Sequence, residues 1–373
     1  MLEGLVVLEM GTFITGPSCG MLLADLGADV VKVERHETGD PFRAFQGGLY
    51  APHFQTYNRN KRSITLDTRE PAELAELDRL VRGADVFIQN FRPGVAEKLN
   101  VGADRLRALN PRLVYCAISG FGTSGPERDR PAFDTVAQAA SGFLRLLINP
   151  AAPRVVGPAI ADSVTGFYAA LGILAALNER ARSGEGHLVE TSMFEAMCHF
   201  NLDDFTHYFS AGQVMNPFSR PSVSQSYVFE CGDGRWIALH MSSPTKFWEN
   251  LAAAVGEPDM MQRPEFRDRD ARIANYDKAV EHLAVRFREA PLEVWEERLR
   301  SGEVPHSRLG SPPDIVESAQ ARHLNLELTA DHPLGGTFRT IRSPLSFDGR
   351  HAGQVKAPPL LGADNEAILG RGD

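Results

Sequence analysis

The chain has 373 residues, room for about two domains at roughly 150 residues each, and its 43% apolar content can fill a sizeable core. Acidic residues outnumber basic ones 48 to 39, so the chain carries no overall basic footprint for nucleic acid, although a local basic pocket for an anion is still allowed. Four cysteines (Cys19, Cys116, Cys198 and Cys231) form no CxxC pair and read as free thiols of a reducing compartment.

The opening MLEGLVVLEM lacks the charged start and long apolar run of a secretory signal. LVVLEM (5–10) reads as a buried strand, GPSCGMLLADLGA (16–28) as a short helix and DVVKVER (29–35) as a second strand. Such a unit favours a parallel sheet. The alternation goes on through strand SITLD (63–67), helix EPAELAELDRLVRGA (70–84), strand DVFIQNF (85–91), helical GVAEKL and ADRLRALN, and strand LVYCAISGFG (113–122) entering a Gly-rich loop. A long helix is expected over 159–183, closed by Gly184 and Gly186, then strand HLVETSM (187–193) and a further helix to about Ser210. Its run FYAALGILAAL is too short for a bilayer and leads into NERAR. The cytoplasm is the expected location, with no membrane partner.

Residues 212–226 show no period and read as a linker. YVFECGDGRWIALHM reads as a hairpin turning at Gly-Asp-Gly, and helices dominate from there to about 305. The expected fold class is α/β: a Rossmann-like parallel-sheet large domain over 1–210, completed by 310–373, and a smaller α+β domain over 225–305. Residues 211–224 and 306–320 would be the linkers between them.

No GxxxxGK[ST] occurs, no histidine pair has metal-ligand spacing, and ISGFGTSG (118–125) is not the GxSxG pattern of a nucleophile elbow. GTFITGPSCG (11–20) lies where the first strand passes to the first helix, a place where free backbone N–H groups can meet an anion; its glycines also suit a tight turn. Lys32, Arg35, Lys61, Arg62, Arg69, Arg92 and Lys98 crowd the first hundred residues, several near strand ends. Ligands of open parallel sheets bind beyond the carboxyl ends of the strands. A basic and aromatic cluster there suits a ligand with phosphates and a flat base; solvated surface charge is the plain alternative for any one of these residues.

GPAIADSVTGFYAALGILAAL (157–177) holds one ionisable residue, Asp162. A carboxylate at a helix start serves as an N-cap or, kept ionised by the helix dipole and flanked by small Ala161, Ser163 and Gly166, as a covalent nucleophile that parks an acyl or phosphoryl group.

Several stretches in the first two hundred residues resemble the class III CoA-transferase family (CaiB/BaiF type), the group of formyl-CoA transferase and carnitine CoA-transferase within the α-methylacyl-CoA racemase superfamily. They are LEMGTFITGPSCGMLLADLGADVVKVER with GDPFR, NRNKRSITLD, ADVFIQNFRPGVAEKL, SGFGTSGP, RPAFDTVAQAASG, and ADSVTGFYAALGILAAL ending in GEGHLVETSMFEAM. The resemblance implies that Asp162 is the catalytic carboxylate. It would attack an acyl-CoA thioester to give a mixed anhydride, then carry CoA as a thioester until an acceptor acid arrives. CoA enters as the acyl-CoA substrate, and no metal, nicotinamide or flavin is implied. Oxyanions would find backbone donors in the SGFGTSG loop.

By the same resemblance Phe13, Ile14, Thr15, Arg35, Leu66, Arg69, Asn90, Phe91 and Lys98 would hold CoA, with Arg35, Arg69 and Lys98 meeting phosphates and Leu66 flanking the adenine. Racemases of this fold place a His before an Asp where this chain has Phe133 and Asp134. Phe133 cannot titrate, which favours transfer over racemisation, while Asp134 would support the site or act as a local cap. A catalytically silent CoA-binding protein is the third alternative. Partners would be an acyl-CoA, a carboxylic acid and a second copy of the chain, interlocked with the first as a threaded homodimer.

Overall fold

The computed structural model describes residues 1–46, 48–242, 245–351 and 355–370. Two compact units divide the chain. One comprises Met1–Leu144, Val155–Leu202 and the described residues from His323 on; the other comprises Arg145–Arg154 and Asp203–Arg322.

The first unit is built on six parallel strands: β1 (Val6–Glu9), β2 (Asp29–Glu34), β3 (Lys61–Thr65), β4 (Val86–Gln89), β5 (Val114–Ser119) and β6 (Leu188–Ser192). Their order is β3-β2-β1-β4-β5-β6, with Leu8 opposite Val31 and Phe87. The central strands read as unbroken apolar runs because both faces are covered. On one face Val7, Val30, Val86, Ile88, Val114 and Cys116 pack with helices α1 (Thr15–Asp25) and, much later in the chain, Ile160–Ser183. On the other, Leu8, Val31, Phe87 and Tyr115 meet Leu77 and Val81 of the helix Pro71–Arg82 and Leu106 of the helix Ala103–Leu109.

Between these lie α2 (Pro52–Tyr57), α3 (Pro71–Arg82), α4 (Val95–Lys98), α5 (Ala103–Leu109), α6 (Asp134–Ala140) and α7 (Ile160–Ser183). α7 ends at Gly184, which is left-handed at φ 79, as a helix C-terminus favours. Its 24 residues fall within the expected 159–183, and among the described residues it alone passes the length and composition test for a membrane span. Its small residues Ala161, Gly166, Ala169, Ala170 and Ala176 are buried, as in the core helix of a sheet-based fold. α8 (Met193–Phe200) follows β6 directly, capped by the Ser192 hydroxyl accepting from the Glu195 amide at 3.1 Å.

The open edge at β3 is covered by the returning C-terminal segment. Asp364 and Asn365 accept from the Ser63 and Thr65 amides at 2.8 and 2.9 Å, which removes an unpaired edge.

In the second unit an antiparallel sheet joins β7 (Ser226–Glu230), β8 (Trp236–His240) and β9 (His306–Arg308). Its core gathers Phe229, Ile237, Trp248, Leu283, Phe287 and Trp295. The stretch read as an aperiodic linker lies in this unit and carries a helical turn over Ser219–Ser224. The prolines and serines hid the turn from periodicity, and its side-chain hydroxyls bond back to it: Ser224 donates to the Arg220 carbonyl at 2.8 Å.

Candidate active site

The strand order reverses between β1 and β4, and in open α/β sheets that crevice is where ligands bind. Beyond the carboxyl ends of these two strands lie two cavities in the first unit. One, of about 550 Å³, is walled by Gly11–Phe13, the 33–41 loop, Leu66–Arg69 and Phe91. The other, of about 590 Å³, is walled by Thr12–Thr15, Asn90–Pro93, Ser119 and Gly120, Phe133 and Asp162. Thr12, Phe13 and Phe91 belong to both walls.

The βα turn that starts the site is shaped by close backbone approach. A Cβ on Gly16 would lie 2.9 Å from the Gly11 Cα, so this crossing requires glycine. The turn's amides are already engaged. Thr12 donates to Asn90 Oδ1 at 2.9 Å, Asn90 Nδ2 donates back to the Thr12 carbonyl and to Thr15 Oγ1, and Phe13 donates to Asp40 Oδ1 at 3.2 Å. Asn90 thus joins the ends of β1 and β4 across the switch point, and the amides of Thr12 and Phe13 are not free for a phosphate as the turn's position suggested.

Beneath the turn lies a charge cluster that the sequence reading spread over the surface. Lys32 donates to Glu9 and to the Gly11 carbonyl at 2.8 and 2.7 Å and stands 3.0 Å from Asp40. Lys61 reaches Glu9, Asn58 and the Pro17 carbonyl at 2.7 to 2.8 Å. Each ammonium makes two hydrogen bonds and stands beside a further carboxylate oxygen. Arg43 grips Glu34 through two bonds of 2.7 Å. Three cations thus balance three carboxylates, all of them buried.

Burial opposes the charge on Lys32, but Glu9, Asp40 and Glu34 outweigh it and raise its pKa. For Lys61 burial wins and the value falls to about 8. Burial likewise works against the Glu9 carboxylate, and the two ammoniums hold it below the ordinary range. Lys32 and Lys61 are therefore buried structural ions, engaged with oxygens of the protein itself. Sequence periodicity had no way to signal this, because a buried ion and a solvated one look alike until the strands are placed.

Of the basic residues left at the first cavity, Arg35 is exposed with no ion pair among the described residues, and Arg69 pairs with Asp67 at 2.6 Å. That pairing, with the Arg69 hydrogen bonds foremost, holds Asp67 down to about 2. Leu66 is buried in the same wall. Lys98 ends α4 exposed and belongs to neither wall. Ile14 and Thr15 face the second cavity. The structure thus gathers Phe13, Arg35, Leu66, Arg69, Asn90 and Phe91 around two adjoining cavities and leaves Lys98 apart.

Asp162 stands in the first turn of α7 but does not cap it. Asp134 does so from α6: its Oδ1 accepts from the Ala161 amide at 2.8 Å and, at 3.4 Å, from that of Asp162, while its Oδ2 accepts from Gln138 at 2.6 Å. Residue 159, the cap position, is an alanine with nothing to offer. With the cap supplied from elsewhere, Asp162 is left to the cavity wall.

Burial, and then the neighbouring Asp134 charge, push the Asp162 carboxyl up to about 7. Loss of solvation and a like charge thus work against the ionised form that the helix dipole is expected to favour. Tyr57, unremarked in the sequence, is close enough to feel this charge. Burial first and then Asp162 raise its hydroxyl pKa, while a hydrogen bond with Ser163 opposes them. Phe133 is 63% exposed and meets Phe13 edge-on at 6.1 Å. Among the described residues no group of three or more His, Cys, Asp or Glu could hold a metal ion.

Comparison with known proteins bears on the same site. The family described as CoA-transferase family III matches residues 2–365. A succinyl-CoA–D-citramalate CoA-transferase of Chloroflexus aurantiacus is 37% identical over 73% of this chain and 69% of its own. A formyl-CoA:oxalate CoA-transferase of Streptomyces avermitilis is 34% identical over 100% of this chain and 96% of its own. The crystal structure of a CaiB/BaiF family protein from Brucella suis superposes with a TM-score of 0.88 at 29% identity, over 99% of this chain and 98% of that one.

Proposed function

Since the chain belongs to the CoA-transferase family III, we propose that it moves coenzyme A between an acyl-CoA thioester and a carboxylic acid by covalent catalysis at Asp162. The observation that carries this reading is a half-buried carboxylate, freed from helix capping, in the wall of a cavity that shares Thr12, Phe13 and Phe91 with a second one. A long ligand fits such a pair of cavities, its nucleotide against Arg35, Leu66 and Arg69 and its thioester at Asp162.

The ionised Asp162 carboxylate attacks the thioester carbonyl carbon, the C–S bond breaks, and CoA leaves as the thiolate. The thiolate then attacks the Asp162 carbonyl of the anhydride, releasing the donor acid as its carboxylate and leaving CoA on Asp162. An incoming acceptor carboxylate displaces the thiolate to form a new anhydride. Attack of the thiolate on the acceptor carbonyl releases the product CoA ester and restores Asp162. Each tetrahedral stage carries an oxyanion, for which backbone donors near Ser119 and Gly120 in the cavity wall are our choice.

The acids we favour carry two carboxylates. The relatives are named for citramalate and oxalate, and Arg92, Arg128 and Arg130 in the Asp162 cavity suit a second anionic end. The exposed apolar residues Phe167 and Leu171 on α7, 59% and 62% exposed, support a homodimer, which we propose to be the interlocked one; the cytoplasm is its proposed compartment. A racemase would need a titratable group at Phe133, and none is there.

The test is to incubate the protein with an acyl-CoA, quench with hydroxylamine and look by mass spectrometry for a hydroxamate at position 162. Asp162→Asn should lose transfer by about three orders of magnitude or more, as removal of a covalent nucleophile does. Full turnover in that variant, or exchange of the α-hydrogen with solvent deuterium in place of trapping, overturns the reading.

A further inference from the structure

Phe13 belongs to the walls of both cavities and adopts a backbone conformation that a side chain disfavours, with φ 61. A non-glycine residue there costs about 1 kcal/mol or more, and it persists only where its surroundings over-determine it. Its ring meets Phe42 edge-on at 5.3 Å and Phe133 at 6.1 Å. A return of Phe13 to negative φ would swing that ring away from both contacts.

Asn90 holds the Thr12 side of this peptide, and the Phe13 amide itself is held by Asp40. Asp40, 1% exposed, accepts from the Phe13 amide at 3.2 Å and the Phe42 amide at 2.9 Å with the same oxygen, Oδ1. It thereby caps the 3-10 turn Pro41–Ala44 and anchors the β1–α1 turn together. Asp40 is itself fixed. Its other oxygen lies 3.0 Å from Lys32, which is tied in turn to Glu9 and the Gly11 carbonyl, and its amide donates to Glu34 at 3.0 Å. One buried ammonium thus connects β1, the turn after it and the loop after β2.

We infer that Asp40 is a positioning residue: it locks Phe13 in left-handed geometry and so fixes the ring that separates the nucleotide cavity from the Asp162 cavity. The inference deepens the proposed CoA transfer and rests on that reading for its kinetic consequence, though not for its structural one. Asp40 touches no reacting atom; it sets the track along which the thioester arm passes from one cavity to the other. Misplacement of such a wall by about an ångström is enough to lower turnover strongly.

The test combines a crystal structure with a double-mutant cycle. In crystals of Asp40→Ala, Phe13 is expected to leave the left-handed region; retention of φ near 61 overturns the inference whatever the activity. In the cycle, Asp40→Ala lowers kcat/KM for an acyl-CoA about tenfold or more when Phe13 is present. The same change in a Phe13→Gly background costs less than about twofold, because glycine takes the left-handed geometry unaided and has no ring to misplace. Equal losses in both backgrounds mean that Asp40 acts on the fold at large, and the inference falls.

Asp40→Ser keeps a cap for the turn but is too short to reach Phe13 as well. It replaces Asp40→Ala if the alanine variant does not fold, with the same expectations. A wild-type protein that transfers no CoA removes the proposed function, while the crystal structure still decides the anchor.

Discussion

A carboxyl that must be ionised to attack, yet is pushed up to about 7 by burial and by Asp134, makes turnover depend on pH. We expect kcat/KM for the acyl-CoA to rise between about pH 6 and 8 with an inflection near 7. In Asp134→Asn, which keeps an oxygen to cap α7 and removes the like charge, the inflection moves to lower pH. The sign for stability follows from linkage: a carboxyl whose folded-state value is raised costs stability when it ionises. The cost is absent below the unfolded carboxylate range, grows as pH rises from there to about 7 while only the unfolded chain is ionised, and is constant above that. Melting temperatures near pH 5 and pH 8 should therefore differ less in Asp162→Asn than in the wild type. Arg35→Ala should raise KM for the CoA ester more than Lys98→Ala does, since only Arg35 lies in a cavity wall.

At the scale of elements, α1 and α7 meet where Gly166 faces Ser18 and Thr15. A Cβ at 166 would lie 2.9 Å from both Ser18 Cβ and Oγ, and 3.1 Å from the Thr15 carbonyl. Gly166→Ala should cost about 1–3 kcal/mol by overpacking, read as a lower urea midpoint. The charge cluster under the β1–α1 turn gives a second expectation. Lys32→Met leaves Asp40 and one oxygen of Glu9 buried without their cation, and breaking such a pair costs about 3–5 kcal/mol. The strands and long helices of this unit were legible in the sequence because buried parallel strands are apolar runs and helices carry their own start and stop residues. The helical turn Ser219–Ser224 was not, because its serines and proline are residues that composition reads as loop.

For the whole molecule, the apolar α7 has one face in the core while Phe167 and Leu171 remain exposed. An all-round apolar helix calls for cover on both sides. Sedimentation of the wild type should show a dimer, and Leu171→Asp should shift it towards monomer or aggregate; a stable wild-type monomer with this face bare would refute the homodimer. The proposed interlocking of two copies could not be read from any local pattern, since threading is a property of chain path.

What the sequence determined by itself was the alternation of strand and helix and the motif residues around Asp162, because periodicity and residue chemistry are local. It also carried Phe133 directly before Asp134, on which our preference for transfer over racemisation rests. Only the tertiary structure decided the ionic state of the site. That Lys32 and Lys61 are buried and consumed, that Asp134 rather than Asp162 caps α7, and that Asp40 holds Phe13 all depend on which residues are desolvated together. Desolvation is set by the placing of segments far apart in the chain, and no window of neighbouring residues contains it.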